Sequence, residues 1–120
     1  MTIEIEALPI IHNITLVKGG DWHETINLYE DDRVTPKNTA GYEMEMTILS
    51  GPNGETYDFL DTVVNTRITH TPSSGQFNID LEAAEIEAYD FLTAVRKVIL
   101  IFDTGDQHMV LIMGQVKVIP

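Results

Sequence analysis

The sequence contains no cysteine and few basic residues. Without cysteine there is no disulfide framework, no thiolate nucleophile and no Cys-ligated metal site. Seven Lys and Arg residues stand against 19 Asp and Glu residues, so the formal net charge is −12. Proteins bind nucleic-acid phosphates mainly through Lys and Arg. We therefore expect no nucleic acid and no anionic membrane among the partners.

Long apolar runs are also missing. No segment approaches the roughly 20 apolar residues that a membrane-spanning helix needs. The first six residues include two Glu where a secretory signal would carry Lys or Arg, so we expect no signal peptide. A chain of 120 residues with 43% hydrophobic content can bury a core of its own. We predict a single domain over residues 1–120, in which residues 1–9 form an N-terminal arm or an edge strand.

Apolar and polar residues alternate with a period of two in several segments. The clearest is residues 41–48, whose apolar members lie on one face: Tyr42, Met44, Met46 and Ile48. Turn residues such as Gly, Pro, Asn and Asp separate these segments, a pattern typical of a sandwich. We predict an all-β, immunoglobulin-like antiparallel β-sandwich of about eight or nine strands. One short helix at residues 82–91 would cross between the sheets, and residues 30–40 and 60–66 would form the longest loops.

The two densest apolar runs lie near the end of the sequence, at residues 95–102 and 109–113. Continuous runs of this length predict strands that are covered on both faces. Between them, residues 104–107 contain Gly105 and Asp106, which supply the positive φ of a tight hairpin.

Motifs that carry catalysis are not found. His23-Glu24 begins like a zinc-hydrolase motif, but Asn27 stands where the second His would be. The serines, Ser50 among them, lie beside Gly and Pro in turns rather than in a nucleophile elbow. We predict no enzyme, no catalytic residue and no cofactor.

The acidic run Glu30, Asp31 and Asp32 leaves one question open. Carboxylates on a loop can hold a divalent cation, and Asp21 or Glu24 would lie near the same end of the sandwich. The spacing matches no EF-hand loop, and a solvated acidic loop explains the same residues. No metal site is therefore predicted, and both interpretations of the run remain open.

Exposed aromatic residues can form a platform for sugars, and the candidates are Trp22, Tyr29, Tyr57 and Tyr89. Trp22 shares strand parity with Ile26, which favours a position at the rim of the core over a sugar platform.

Five segments follow one another in a characteristic order, and the last is an apolar strand, a Gly and Val-x-Val-x-Pro. They are Lys18-Gly19-Gly20-Asp21-Trp22, the strand at residues 26–29, residues 35–42 with their Gly41-Tyr42, residues 75–81 and residues 109–120. In this order they resemble the small sandwich domain of tailed-bacteriophage structural proteins, which include the N-terminal domain of baseplate upper proteins.

The resemblance implies a non-catalytic protein of the virion, assembled in the host cytoplasm. Its place would be in the tail, the baseplate or the head–tail region, as an assembly or adaptor module, or on the head surface as a decoration. The partners would be other virion proteins, and the chain would form a homo-oligomer. The alternative is a carbohydrate-binding or adhesion module of the same sandwich class.

Overall fold

The computed structural model describes residues 2–4, 10–30, 32–51, 53–102 and 106–120, with only the backbone described at residues 2–4. These residues form two sheets, one α-helix and one short 3-10 helix at Pro72–Ser74. The strands are β1 (Thr2–Glu4), β2 (Ile10–Ile11), β3 (Ile14–Val17), β4 (Trp22–Asn27), β5 (Glu43–Leu49), β6 (Thr56–Asp61), β7 (Ile68–Thr71), β8 (Gln76–Leu81), β9 (Thr93–Phe102) and β10 (Gln107–Ile119). The helix α1 spans Ala83–Glu87.

The two sheets have the strand order of an immunoglobulin-like sandwich. The four-stranded sheet has the order β1-β4-β8-β7. The six-stranded sheet has the order β2-β10-β9-β5-β6, and β3 also pairs with β10. These orders match the A-B-E-D and G-F-C arrangement of immunoglobulin domains. The predicted all-β sandwich is confirmed, and α1 joins β8 of one sheet to β9 of the other.

The N-terminal strands add parallel pairs to an otherwise antiparallel sandwich. β1 pairs with β4 of the same chain, with Thr2 opposite Thr25. β2 and β3 both pair with β10, so the N-terminal segment crosses from one sheet to the other. The predicted N-terminal arm thus contains an edge strand, while residues 1 and 5–9 lie outside the described part of the chain. These additions bring the described strands to ten, against the eight or nine predicted.

The core lies between the sheets and is built from the predicted alternation. Met44, Met46 and Ile48 on β5 have no exposed surface, while Glu43 on the same strand is exposed. Full burial of such a side chain stabilises the fold by about 1.5–3 kcal/mol. Inward residues of β8, such as Phe77, belong to the same core cluster as these β5 side chains and come from the opposite sheet.

The helix α1 is fixed at its N-terminus by carboxylates. The backbone N–H of Glu82 donates to Glu85 Oε1 at 3.0 Å, within a capping box, and the N–H of Ala83 donates to Asp21 Oδ1 at 2.7 Å. The helix ends at Glu87, before the predicted residue 91, and Tyr89 beyond it is buried. No helix in the described ranges is long and apolar enough to cross a bilayer.

The prediction that β9 and β10 are covered on both faces is wrong. On β9, Val98 and Leu100 are buried, whereas Val95 and Ile99 point to the other side and are only half-buried. Ile101, which has the same outward parity, is buried, so the outer face of β9 is covered only in part. Of the predicted turn at residues 104–107, residues 104 and 105 lie outside the described residues, and β10 begins at Gln107.

Candidate interaction surface

The outer faces of the two sheets differ in chemistry. The outward residues of the four-stranded sheet are polar and hydrogen-bonded to one another across the strands. Thr25 Oγ1 donates to Asn78 Oδ1 at 2.7 Å, and Gln76 Nε2 donates to Asn27 Oδ1 at 3.1 Å. This face is a solvated surface, as expected for an antiparallel sheet with one wet side.

The outer face of the six-stranded sheet carries a set of apolar residues among polar ones such as Glu45, Thr47 and Lys97. We call it the apolar face and define it by seven outward residues: Ile11, Leu49, Phe59, Val95, Ile99, Val110 and Met113. Ile11 is 70% exposed and Phe59 is 37% exposed, and the other five are half-buried. Because these apolar residues are left partly exposed on a sheet face, this surface is a candidate interaction site.

Strand register places these residues in adjoining rows. Met113 lies opposite Lys97, and Lys97 lies opposite Thr47 on the next strand. Ile11 flanks Met113 on one side of this row, and Phe59 flanks Thr47 on the other. A shallow groove lies beside this row, and Ile11, Val95 and Met113 are among its lining residues. This row thus runs from Ile11 to Phe59 across all five strands, with the polar side chains of Lys97 and Thr47 between its apolar ends.

Charged side chains on this surface are separated by sign. Glu43 and Glu45 lie at the beginning of β5, opposite Ile101 and Ile99 of β9. Lys97 lies further along, and Lys117 lies at the far end, opposite Thr93. In the described part of the chain, none of these four charged residues forms an ion pair. The surface therefore has an acidic end and a basic end whose charges are available to a partner.

The free edge of the six-stranded sheet, at β6, is closed by side chains. Phe59 O accepts a hydrogen bond from Asn65 Nδ2 at 2.8 Å and another from Arg67 Nη1 at 3.3 Å. The backbone N–H of Asp61 donates to Asn65 Oδ1 at 3.0 Å. These bonds occupy backbone groups that an added strand would need. Association through the addition of a strand at β6 is thereby disfavoured.

Arg67 also anchors an ionic cluster between β6 and α1. Its guanidinium donates to both carboxylate oxygens of Asp58 at 2.8 Å and pairs with Glu85. Tyr89 Oη donates to Asp58 Oδ2 at 2.5 Å. Burial favours the neutral carboxyl, yet the hydrogen bonds from Arg67 and Tyr89 outweigh it and hold the pKa of Asp58 below its usual value. The cluster ties the edge strand to the helix.

Behind the apolar face, the core contains a buried ion pair that the sequence analysis missed. Arg96 of β9 donates from Nη1 to Glu24 Oε1 at 2.7 Å and from Nη2 to Oε2 at 3.1 Å. Both side chains are fully buried, and the pair joins the two sheets. Arg96 Nη2 also lies 2.8 Å from His12 Nδ1, and the guanidinium lies over the Trp22 ring at 5.8 Å. The signal in the sequence was an Arg at an inward position of an apolar strand.

Asp32 of the acidic run is hydrogen-bonded within its own loop. Asp32 Oδ1 accepts the N–H of Thr35 at 2.8 Å, and Oδ2 accepts its hydroxyl at 2.5 Å. Those bonds, with one from the N–H of Val34, lower the pKa of the Asp32 carboxyl. Glu24 is buried with Arg96 and Asp21 caps α1, so both carboxylates have other partners in the fold.

Among the described residues, no three acidic or His side chains are placed to hold a metal ion. Asp31 lies outside the described residues. The structure therefore describes only Glu30 and Asp32 of the acidic run, and the question whether the run holds a divalent cation stays open. Glu30 Oε2 lies 4.0 Å from Lys37 Nζ.

The four aromatic candidates do not point outward together. Trp22 packs at the rim of the core, as predicted, and Tyr89 is buried with its hydroxyl on Asp58. Tyr57 is 40% exposed but stacks on Phe91, with ring centroids 4.6 Å apart. Tyr29 is half-buried beside Pro36. The arrangement is one of core-rim packing rather than an open stacking platform.

Comparisons with known proteins identify the fold by structure rather than by sequence. No protein-family model matches the chain, and no curated protein matches it in sequence. Among solved structures, the chain is similar to the N-terminal domain of phage TP901-1 ORF48, with a TM-score of 0.57 and 10% sequence identity. The match covers 99% of this chain and 95% of the other. The chain therefore has the same sandwich fold as a domain of a phage protein.

Proposed function

We propose that the chain is a non-catalytic structural protein of a bacteriophage virion. It would act as an assembly or adaptor module of the tail, baseplate or head–tail region, or as a decoration of the head surface. The observation that carries the proposal is the structural match over nearly the whole chain to a domain of a phage protein. The sequence resemblance to tailed-phage sandwich domains is consistent with it.

The surface chemistry supports a role in assembly. A phage structural module needs a face that binds a neighbour and a remaining surface that keeps the free protein soluble. The apolar face meets the first requirement, and the polar outer face of the four-stranded sheet with a net charge of −12 meets the second. Two arginines, Arg96 and Arg67, are bound by carboxylates of the fold itself.

Quantitative mass spectrometry of purified particles from the source of the chain tests this proposal. The chain should be present at a fixed number of copies relative to the major capsid protein. A ratio near one indicates a head decoration, and a small ratio indicates the tail, collar or baseplate. Absence from particles that contain all other structural proteins would contradict the proposal.

A further inference from the structure

The apolar face is large enough to support a specific interface. The strands β2, β10, β9, β5 and β6 contain 2, 13, 10, 7 and 6 residues. At about 3.3 Å per residue and about 4.8 Å between strands, their outer face spans roughly 600 Å². Two such faces would bury roughly 1,200 Å² in total, which is near the lower limit of specific protein–protein interfaces. An interface of this size is typical of weak, reversible association.

The charges on this surface are complementary to those of a second copy. The carboxylates of Glu43 and Glu45 lie at one end on β5, and Lys117 lies at the diagonally opposite end on β10. A two-fold axis perpendicular to that diagonal, in the plane between two copies, exchanges the two ends. Each acidic end then lies against the partner copy's basic end.

Other surfaces are less suited to self-association. The edge at β6 is closed by Asn65 and Arg67, as described above. The outer face of the four-stranded sheet is polar and satisfied by its own hydrogen bonds. A chain with a net charge of −12 repels a second copy over most of its surface. On the outer face of the six-stranded sheet, Lys97 and Lys117 offset the charges of Glu43 and Glu45.

We infer that the apolar face binds the same face of a second copy of this chain, forming a two-fold symmetric dimer. Residues such as Ile99, Val95 and Met113 lie at the centre of the contact, and the oppositely charged ends set its direction. Sheets of sandwich proteins pack face to face in this way, about 10 Å apart. The dimer gives the proposed structural module a partner. Its evidence is the chemistry of this face, so it can be tested separately from the presence of the chain in a virion.

Sedimentation velocity of the full chain over a range of concentrations tests the dimer. The wild-type chain should shift from monomer to dimer as its concentration rises. Ile99→Lys puts a lysine at the centre of the contact, where it has no counter-charge. It should raise the dimer dissociation constant about tenfold or more. Thr69→Lys, the matched control on the outer face of the four-stranded sheet, should dimerise like the wild type. Circular dichroism and the urea midpoint show that both variants are folded.

A pair of charge reversals identifies the surface that is used. Glu45→Lys and Lys97→Glu should each weaken dimerisation, because each leaves one sign of charge in excess on the face. When the two variants are mixed, the faces are oppositely charged and mixed dimers should form. The inference is overturned if the wild type stays monomeric at every concentration, if Ile99→Lys dimerises like the wild type, or if the mixture does not associate. A monomer that is nevertheless found in particles would assign the face to a different virion protein and leave the proposed function standing.

Discussion

Arg96 and Glu24 form a fully buried ion pair that joins the two sheets, with Nη1 to Oε1 at 2.7 Å. The pair lies directly behind the apolar face, on the inward side of β9. Each buried charge is stabilised by the other, because an unpaired ion in the core would bear the full cost of its desolvation. Removing one partner should therefore disturb the sandwich far more than removing a surface charge.

Glu24→Ala should lower the free energy of unfolding by about 3–5 kcal/mol, since it leaves the Arg96 guanidinium buried without its counter-ion. The double variant Glu24→Leu with Arg96→Met should be more stable than Glu24→Ala, because it leaves no charge in the core. Urea unfolding followed by circular dichroism measures both. Glu87→Ala, on the exposed end of α1, is the control and should change stability by less than about 0.5 kcal/mol. Equal stability of Glu24→Ala and this control would contradict the role of the pair.

Asp58 should make the domain sensitive to acid. Its pKa is lowered in the folded state, so the unfolded state binds its proton more readily. The stability that it contributes is complete above the unfolded pKa of about 4 and is lost as the pH falls through the lower folded value. Asp58→Asn should cost roughly 1–3 kcal/mol at neutral pH, because the bonds to Arg67 and Tyr89 lose their charged acceptor.

The loss in Asp58→Asn should shrink as the pH is lowered, and urea titrations at several pH values measure this. Asp90→Asn, at an exposed position beyond α1, is the matched control. A loss in Asp58→Asn that stays the same down to the lowest pH would show that the charge of this carboxylate contributes nothing.

His70 should add a second pH dependence in a different range. Its ring stacks on Phe77, with centroids 4.0 Å apart, and its Nε2 lies 2.6 Å from Thr39 Oγ1. Burial lowers the pKa of this imidazole, so the unfolded state takes up a proton first as the pH falls. Stability should decline as the pH drops below about 6.5, the usual value for His.

His70→Gln should remove that part of the decline in unfolding experiments between about pH 7 and pH 5. Thr39→Val removes the hydroxyl partner but keeps the buried ring, so it should retain the decline. If the slopes of the wild type and His70→Gln are identical, burial of the ring does not control its protonation.

Gly114 permits the close approach of the N-terminal segment to β10. A Cβ at this position would collide with the backbone carbonyl of His12, which lies between β2 and β3. Gly114→Ala should lower stability by about 1–3 kcal/mol, because backbone has to move. Gly51→Ala is the control, since a Cβ there meets nothing within 4 Å. Thermal unfolding compares the two, and similar melting temperatures would show that the segment yields without cost.

The sequence predicted much of the fold because strand periodicity is a local property. The alternation of Met44, Met46 and Ile48 gave the inward face of β5, and the Ala-rich segment after β8 gave the crossing helix. The apolar run on β9 was misinterpreted because a local pattern cannot distinguish a covered apolar face from a partly exposed one. Arg96 and Glu24 lie 72 residues apart, so their pairing depends on tertiary structure.

The candidate surface could not be predicted from the sequence for a similar reason. Ile11, Val95 and Met113 come from three strands, and only the pairing of those strands places them side by side. The closure of the β6 edge by Asn65 likewise depends on how the following loop folds back. The class of fold followed from periodicity, and the surface followed from register.

Lysine-reactive labelling, read by mass spectrometry, tests the central claim most directly when purified particles are compared with the free folded chain at a concentration where it is monomeric. If the chain is a virion module whose apolar face is covered, Lys97 should be protected in the particle, while Lys37 in the loop after β4 should remain reactive. Equal labelling of Lys97 and Lys37 in particles, or a chain that is missing from them, would contradict the account.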